Sequence, residues 1–420
     1  MKILEVYIDG YKNIINTRLT FKDSIVVLLS QNNFGKSNLI SAISFGFEFI
    51  GLNQKEALRE IESREFEHFF SDSKINFTFE VTFETKNKRV YKYKFALGNI
   101  PETNQYGICA EELSEMQDNH EKQKIFIRDR VATNAVRLYS RLEEFKRFQF
   151  EDKSQAARAR LFLHPFGEAS VEDAQVGPRY GEEFSEAYEK VREAYLNLLI
   201  DRTGEIVVNE HTDFADYSDF AKELKTAMHG NEPLFRDFEN FFIELFPDYA
   251  SILPHEDGAG NPYLLFEKKN GKMETTFTLS YGTRRMLRIF EKVFSCESPL
   301  VPIEELENGV HPSLFVKMLN ILDKLLNREE SGPVRLVITS HSSNLVNLFS
   351  SLPDALHLGL DGYMRANEAE ARFVKFTDKG KQSMNEEIEK LGLTTSIGSI
   401  IYDYGEDEDC STELRKWLEE

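Results

Sequence analysis

The chain has 420 residues, 41% of them hydrophobic, enough to bury a large core in one domain or two. Its 71 acidic and 51 basic side chains leave a formal net charge of −20, which excludes a surface given over to neutralising phosphates but leaves room for a local basic groove. Three widely spaced cysteines (Cys109, Cys296, Cys410) read as free thiols, no apolar run approaches the ~18 residues that span a bilayer, and the N-terminus lacks a secretory pattern. A cytoplasmic protein with no membrane contact is expected.

In chain order, Ile3, Val6 and Ile8 alternate with Lys2, Glu5, Tyr7 and Asp9, and Leu19-Thr20-Phe21 follows a turn at Gly10. Two antiparallel strands are predicted there. Ser24–Leu29 is an apolar, β-branched run, as a strand buried on both faces requires. Next comes Ser30-Gln31-Asn32-Asn33-Phe34-Gly35-Lys36-Ser37-Asn38, and then Leu39, Ile40, Ile43, Phe47 and Ile50 at helical spacing up to Gly51. Strand, small polar loop, Gly-Lys-Ser and helix is the context of a phosphate-binding loop. Backbone N–H groups at a helix N-terminus aim at one anion, and the helix dipole adds to them. Gly35 lets the backbone approach the phosphates, Lys36 reaches the β/γ oxygens and the Ser37 hydroxyl is placed to ligate magnesium. Ser30 stands where the general pattern opens with a glycine.

Strict alternation over Ile75–Phe83 and again over Val90–Phe95, with Lys86-Asn87-Lys88 between, predicts a hairpin. From 101 to 275 the character changes. Pro101–Asn119 reads as an acidic loop, 134–163 as a helix with Leu138, Leu142, Phe145 and Phe148 on one face, and 182–200 and 233–246 as two more helices. The basic residues Arg128, Arg130, Arg137, Arg141, Lys146 and Arg147 read best as solvated faces, with a duplex-binding surface as the alternative.

Leu279-Ser280-Tyr281-Gly282-Thr283-Arg284-Arg285 opens another helix and a second potential anion site. Leu300–Ile303 then delivers Glu304 and Glu305 to the end of a buried strand, where one carboxylate would hold magnesium through water and its neighbour would polarise an attacking water. Glu307 reads better as a helix-start acid, and Pro302 is unwelcome inside a strand for want of its N–H. A helix follows Pro312. Val334–His341 is another buried strand, its end placing His341 within reach of a γ-phosphate. Two short strands (Leu356–Leu360, Arg372–Phe376), a helix near 383–391 and an acidic end complete the chain.

In order and spacing these motifs resemble the ABC-type ATPase heads of the SMC, RecF and overcoming-lysogenization-defect group, most of all the stand-alone AAA-family ATPases of bacterial phage-defence systems of the PARIS, Septu and retron type. The resemblance rests on Asn32-x-x-Gly35-Lys36-Ser37-Asn38, Leu279-Ser280-x-Gly282-Thr283-x-Arg285, Glu305-x-Glu307-Asn308-Gly309-x-His311-Pro312 and Thr339-Ser340-His341. It covers roughly residues 1–100 and 275–360.

The resemblance implies an α/β fold: an ABC/SMC-like head with a mixed central sheet, an antiparallel β lobe and a largely helical insertion. The head halves fall at 1–100 and 276–365, the insertion, for sensing or docking, at 101–275, and a tail at 366–420. Two heads would sandwich two ATP molecules with Mg2+. Asn32, Asn33, Gly35, Lys36, Ser37 and Asn38 of one copy would face Leu279, Ser280, Gly282 and Thr283 of the other. Glu305 would be the catalytic base, His341 the γ-phosphate sensor, and Ser37 and Glu304 the magnesium ligands, Glu304 standing where the family usually has aspartate. Such a head would serve as an ATP-dependent switch that holds or releases a separate nuclease or toxin. Alternatives are a RecF/SMC-like DNA-repair ATPase lying on nucleic acid and an ATP-bound scaffold that does not hydrolyse.

Overall fold

The computed structural model describes residues 2–21, 25–29, 34–51, 76–85, 87–100, 105–118, 120–129, 135–139, 145–149, 218–230, 233–295, 300–307, 310–311, 314–315, 317–318, 321, 335–340, 356–361, 371–375, 382, 386 and 389–390. Two β layers organise them. Strands β1 (Lys2–Asp9), β2 (Thr17–Thr20), β4 (Asn76–Glu84), β5 (Val90–Ile100), β6 (Gln105–Gln117), β7 (His120–Asp129), β8 (Ala135–Tyr139) and β9 (Phe145–Gln149) form an eight-stranded antiparallel sheet in the order β2-β1-β4-β5-β6-β7-β8-β9. Strands β3 (Ile25–Leu29), β13 (Leu300–Ile303), β14 (Arg335–Ser340), β15 (Leu356–Asp361) and β16 (Ala371–Lys375) form the second sheet, ordered β13-β14-β3-β15-β16. All its pairings are parallel except β15 with β16. β10 (Tyr249–Glu256), β11 (Pro262–Lys268) and β12 (Met273–Thr275) make a small antiparallel sheet.

Every residue of β3 is buried, which is why that strand reads as an unbroken apolar run. Ile25, Val27 and Leu29 enter one core with Val301, Ile303, Leu336 and Ile338, packed by helices α2 (Ser218–Gly230), α3 (Pro233–Leu245) and α4 (Tyr281–Ser295). Val26 and Leu28 enter the other core with Val337, helix α1 (Lys36–Gly51) and the phenylalanines of β4 and β5. The central sheet is thus covered on both faces, as an α/β head requires. Helix α1 lies against β4 at Gly46: a Cβ there would sit 2.2 Å from the Phe79 ring.

The fold class stands, and the middle segment differs from its sequence reading. Residues 105–117 are strand β6 rather than an acidic loop: the segment pairs with β5 over Gln105–Met116 and with β7 over Ala110–Gln117, so its backbone is satisfied on both sides. Over the described part of 134–163 the structure has β8 and β9, not a helix. Their i, i+3 apolar spacing is also met by a hairpin in which Val136 pairs with Phe148 and Tyr139 with Phe145. The expected helix at 233–246 is α3, and that at 182–200 lies outside the described residues. Pro302 sits in β13, an edge strand among those described, where a missing N–H costs no ladder bond on the open side.

The small sheet is tied by Glu274, buried at 7% exposure, which accepts from the Tyr249 hydroxyl at 2.8 Å and from Lys268 and Lys272 at 2.9 Å each. Those three donors hold its carboxyl down at about 2. Since the folded value lies below the unfolded one, this stabilisation is full above the ordinary carboxylate range and fades as pH falls toward 2. Glu274→Gln should therefore lower stability by about 1 kcal/mol at pH 7, the lysines being partly solvated, with the gap to wild type closing between pH 4.5 and 2 in denaturant titrations.

Candidate functional site

The parallel register decides where the polar motifs go. Ile303 lies beside Ile338, and Ser340 beside Leu29, so the chain leaving β13, β14 and β3 emerges along one edge of the sheet. That edge, at the carboxyl ends of the strands, is where open α/β sheets bind ligands. Helix α1 begins at the same edge with Lys36, the first residue of its opening turn.

Gly35 precedes it with φ +119°, a conformation closed to L side chains, and Leu39 N–H donates to its carbonyl at 2.9 Å. Asn13, from the turn between β1 and β2, fills the space beside it. The Asn13 side-chain amide donates to the Phe34 main-chain carbonyl at 3.0 Å and accepts from the Asn38 side-chain amide at 2.8 Å, and Lys12 Nζ donates to Asn38 Oδ1 at 3.4 Å. Phe34 and Asn38, on either side of Gly-Lys-Ser, are therefore both tied to the turn of the antiparallel lobe. Ser37 is exposed.

Lys36 is 7% exposed. Burial drives its ammonium down from 10.5 to about 8, against the pull of the Glu305 and Glu307 carboxylates, which favour the charged form. The phosphate-loop lysine and the acids after β13 thus share one electrostatic environment although the sequence separates them widely.

The turn carrying those acids is held at its main chain. Glu305 has φ +46°, the left-handed region, a strained choice for a side-chain-bearing residue. Its N–H donates to the Thr339 hydroxyl at 2.9 Å, and Leu306 N–H donates to the Thr339 carbonyl at 3.3 Å. On the other side, Arg285 of α4 donates through Nη2 to the Glu304 carbonyl and to the Glu305 carbonyl, the latter at 3.0 Å. The Ser340 hydroxyl donates to the Glu307 carboxylate at 2.9 Å.

Of the residues singled out in the sequence, Gly35, Lys36, Ser37, Glu304 and Glu305 lie together at this edge. Asn38 serves the clamp to Asn13. Asn32, Asn33 and His341 fall outside the described residues, although Ser340, the residue before His341, ends β14 at the site. Leu279 is buried in the core, and the exposed Ser280 starts α4, where its hydroxyl accepts from Thr283 N–H at 3.2 Å and lies 2.7 Å from the Thr283 hydroxyl. Thr283 is thereby buried behind Ser280, and Gly282 is half-buried beside them. Glu307 corrects its reading as a helix-start acid: it belongs to the site, held by Ser340 and felt by Lys36. Asn13, Arg285 and Thr339 were not singled out as site residues. The available signals are the polar Thr339-Ser340 pair closing a buried apolar strand and the place of Arg285 at the end of the Leu279–Arg285 motif; Asn13 carries none.

The donor set fits a magnesium–triphosphate group: a side-chain-free Gly35, a desolvated lysine at a helix N-terminus, an exposed Ser37 hydroxyl and carboxylates facing them. A family model described as "AAA domain, putative AbiEii toxin, Type IV TA system" matches residues 26–347. No curated protein matches the chain. Among solved structures, an SmcHead bound to the C-winged helix domain of ScpA is 10% identical, covering 89% of this chain and 98% of its own, at TM-score 0.48. The SMC head domain from Thermotoga maritima is 12% identical, with 90% and 100% covered, at TM-score 0.40. An Smc head with an extended coiled coil, bound to the C-terminal domain of ScpA derived from Pyrococcus furiosus, is 12% identical, with 93% and 99% covered, at TM-score 0.44.

A Cβ at position 35 would meet Asn13 Oδ1 at 2.8 Å, Asn13 Nδ2 at 2.9 Å and Ile14 Cδ1 at 3.1 Å, on top of the positive φ. Gly35→Ala is expected to cost about 2 kcal/mol in chemical denaturation. Unchanged stability would mean that the clamp and the glycine conformation do not matter to the loop.

Proposed function

This chain belongs to the AAA-domain family of that description, and we propose that it binds and hydrolyses ATP between two copies of itself. It acts as a nucleotide-dependent switch that controls a separate effector, a nuclease or toxin, in bacterial anti-phage defence. One observation carries the ATP reading: Lys36, buried at the N-terminus of α1, shares its environment with Glu305 and Glu307 at one sheet edge.

In this reading Lys36 neutralises the β- and γ-phosphates, and because its ammonium has already lost most of its water, little desolvation opposes that contact. Backbone N–H groups after Gly35 point at the same oxygens. Asn32, Asn33 and Asn38 complete the loop. Ser37, with Glu304 through water, would hold Mg2+, which supplies charge neutralisation on the phosphates. The Glu305 carboxylate accepts a proton from the water whose oxygen bonds to the γ-phosphorus as the bond to ADP breaks, and His341, next after Ser340, senses the γ-phosphate. Leu279, Ser280, Gly282 and Thr283 open α4 with an exposed hydroxyl at a helix N-terminus, a surface suited to the nucleotide of a second copy. Glu304 is one methylene longer than aspartate, and a misplacement on the order of 1 Å costs ~100-fold, so turnover is slow. We assign 1–100 and 276–365 to the head, 101–275 to sensing a trigger or docking the effector, and 366–420 to a tail.

Two variants test this. Lys36→Met should weaken ATP binding at least tenfold. Glu305→Gln should retain binding, lose on the order of 100-fold in kcat and accumulate an ATP-bound dimer seen by light scattering. Equal, near-zero phosphate release from wild type and Glu305→Gln would turn the protein into a nucleotide-bound scaffold. In cells carrying the chain with its neighbouring genes, Lys36→Met should abolish protection against phage, and unchanged plating would remove the defence role.

A further inference from the structure

Helix α4 carries at its start the Ser280 surface offered to a second copy and, five residues on, Arg285, which is 1% exposed. Arg285 reaches away from that surface. Its Nη2 donates to the main-chain carbonyls of Glu304 and Glu305, and its Nε and Nη1 have no hydrogen-bond partner among the described residues. A buried guanidinium with its bonds placed on two consecutive carbonyls fixes the peptide plane between them. That plane belongs to a residue in the left-handed region, whose N–H is held from the opposite side by the Thr339 hydroxyl at 2.9 Å. Both clamps act on main-chain atoms of Glu304 and Glu305. They set the direction in which the Glu305 side chain leaves the main chain.

We propose that Arg285 is a positioning residue that couples the two nucleotide sites of a dimer: a shift of α4, driven at Ser280 by the partner's nucleotide, moves the peptide that aims Glu305 at the nucleotide of its own subunit. A helix is stiff along its axis, and Ser280 and Arg285 lie within its first turns, so the displacement reaches Arg285 undiminished. The coupling part of the inference rests on Glu305 being the catalytic base. The clamp itself does not.

Arg285→Met keeps the volume of the side chain and removes its donors, and replacing a buried charge by an apolar side chain of like size is tolerated in other folds. With ATP, the variant should lose at least 30-fold in kcat while KM stays within threefold, and Arg285→Lys should restore part of the loss. In a Glu305→Gln background Arg285→Met should cost nothing further; additive losses would make Arg285 merely structural and overturn the inference. Hydrogen exchange at the Glu305 amide gives a readout without turnover, and it should be at least tenfold faster in Arg285→Met than in wild type. Should wild type release no more phosphate than Lys36→Met, the ATPase reading falls, and this exchange rate alone decides the clamp, an unchanged rate overturning it. If Arg285→Met does not fold, Thr339→Val, matched against Thr339→Ser, opens the same turn from its other side and must give the same kcat loss and exchange gain, with serine close to wild type.

Discussion

A lysine ammonium withdrawn from water is costly to keep charged, and the site is arranged around that cost. Two carboxylates from a distant segment offset part of that cost at Lys36, and they act on it because the parallel register of β13, β14 and β3 brings three strand ends to one edge. With one of the three strands out of register by a residue, its apolar side chains would exchange faces and the polar ends would separate. The electrostatics of the site and the packing of the sheet are therefore one requirement, met by the alternate burial of Ile25, Val27 and Leu29 against Val26 and Leu28.

Much of this was legible in the residues. An unbroken apolar run announced β3, Gly-Lys-Ser before helical periodicity announced α1, and an apolar stretch closing on two glutamates announced β13 and its acids. These features are local, and each is set by burial or by one helix terminus. What stayed hidden depended on partners far away in the chain. Asn13 looks like any turn asparagine until Phe34 and Asn38 come against it. Arg285 closes a recognisable motif, but its contacts there depend on the Glu304 and Glu305 carbonyls, which arrive from another segment. Glu307 was misread because its neighbour Ser340 comes from another strand.

The strands at 105–149 show the same limit from the side of secondary structure. Apolar residues three apart satisfy a helical face, but β7 offers β8 backbone partners at Phe126 and Ile127, and β8 pairs in turn with β9 over Ala135–Tyr139. A ladder extended strand by strand outweighs a propensity that no tertiary contact supports. Pro302 is the converse case. It looks damaging inside a strand and stands in β13, which ends the described sheet, the position where strand prolines are usually found.

The absent side chain at position 46 has its own consequence. With the Phe79 ring seated against the bare helix backbone, any larger residue at position 46 would push α1 off β4, so one ring in one notch sets the spacing between the antiparallel sheet and the helix that opens at Lys36.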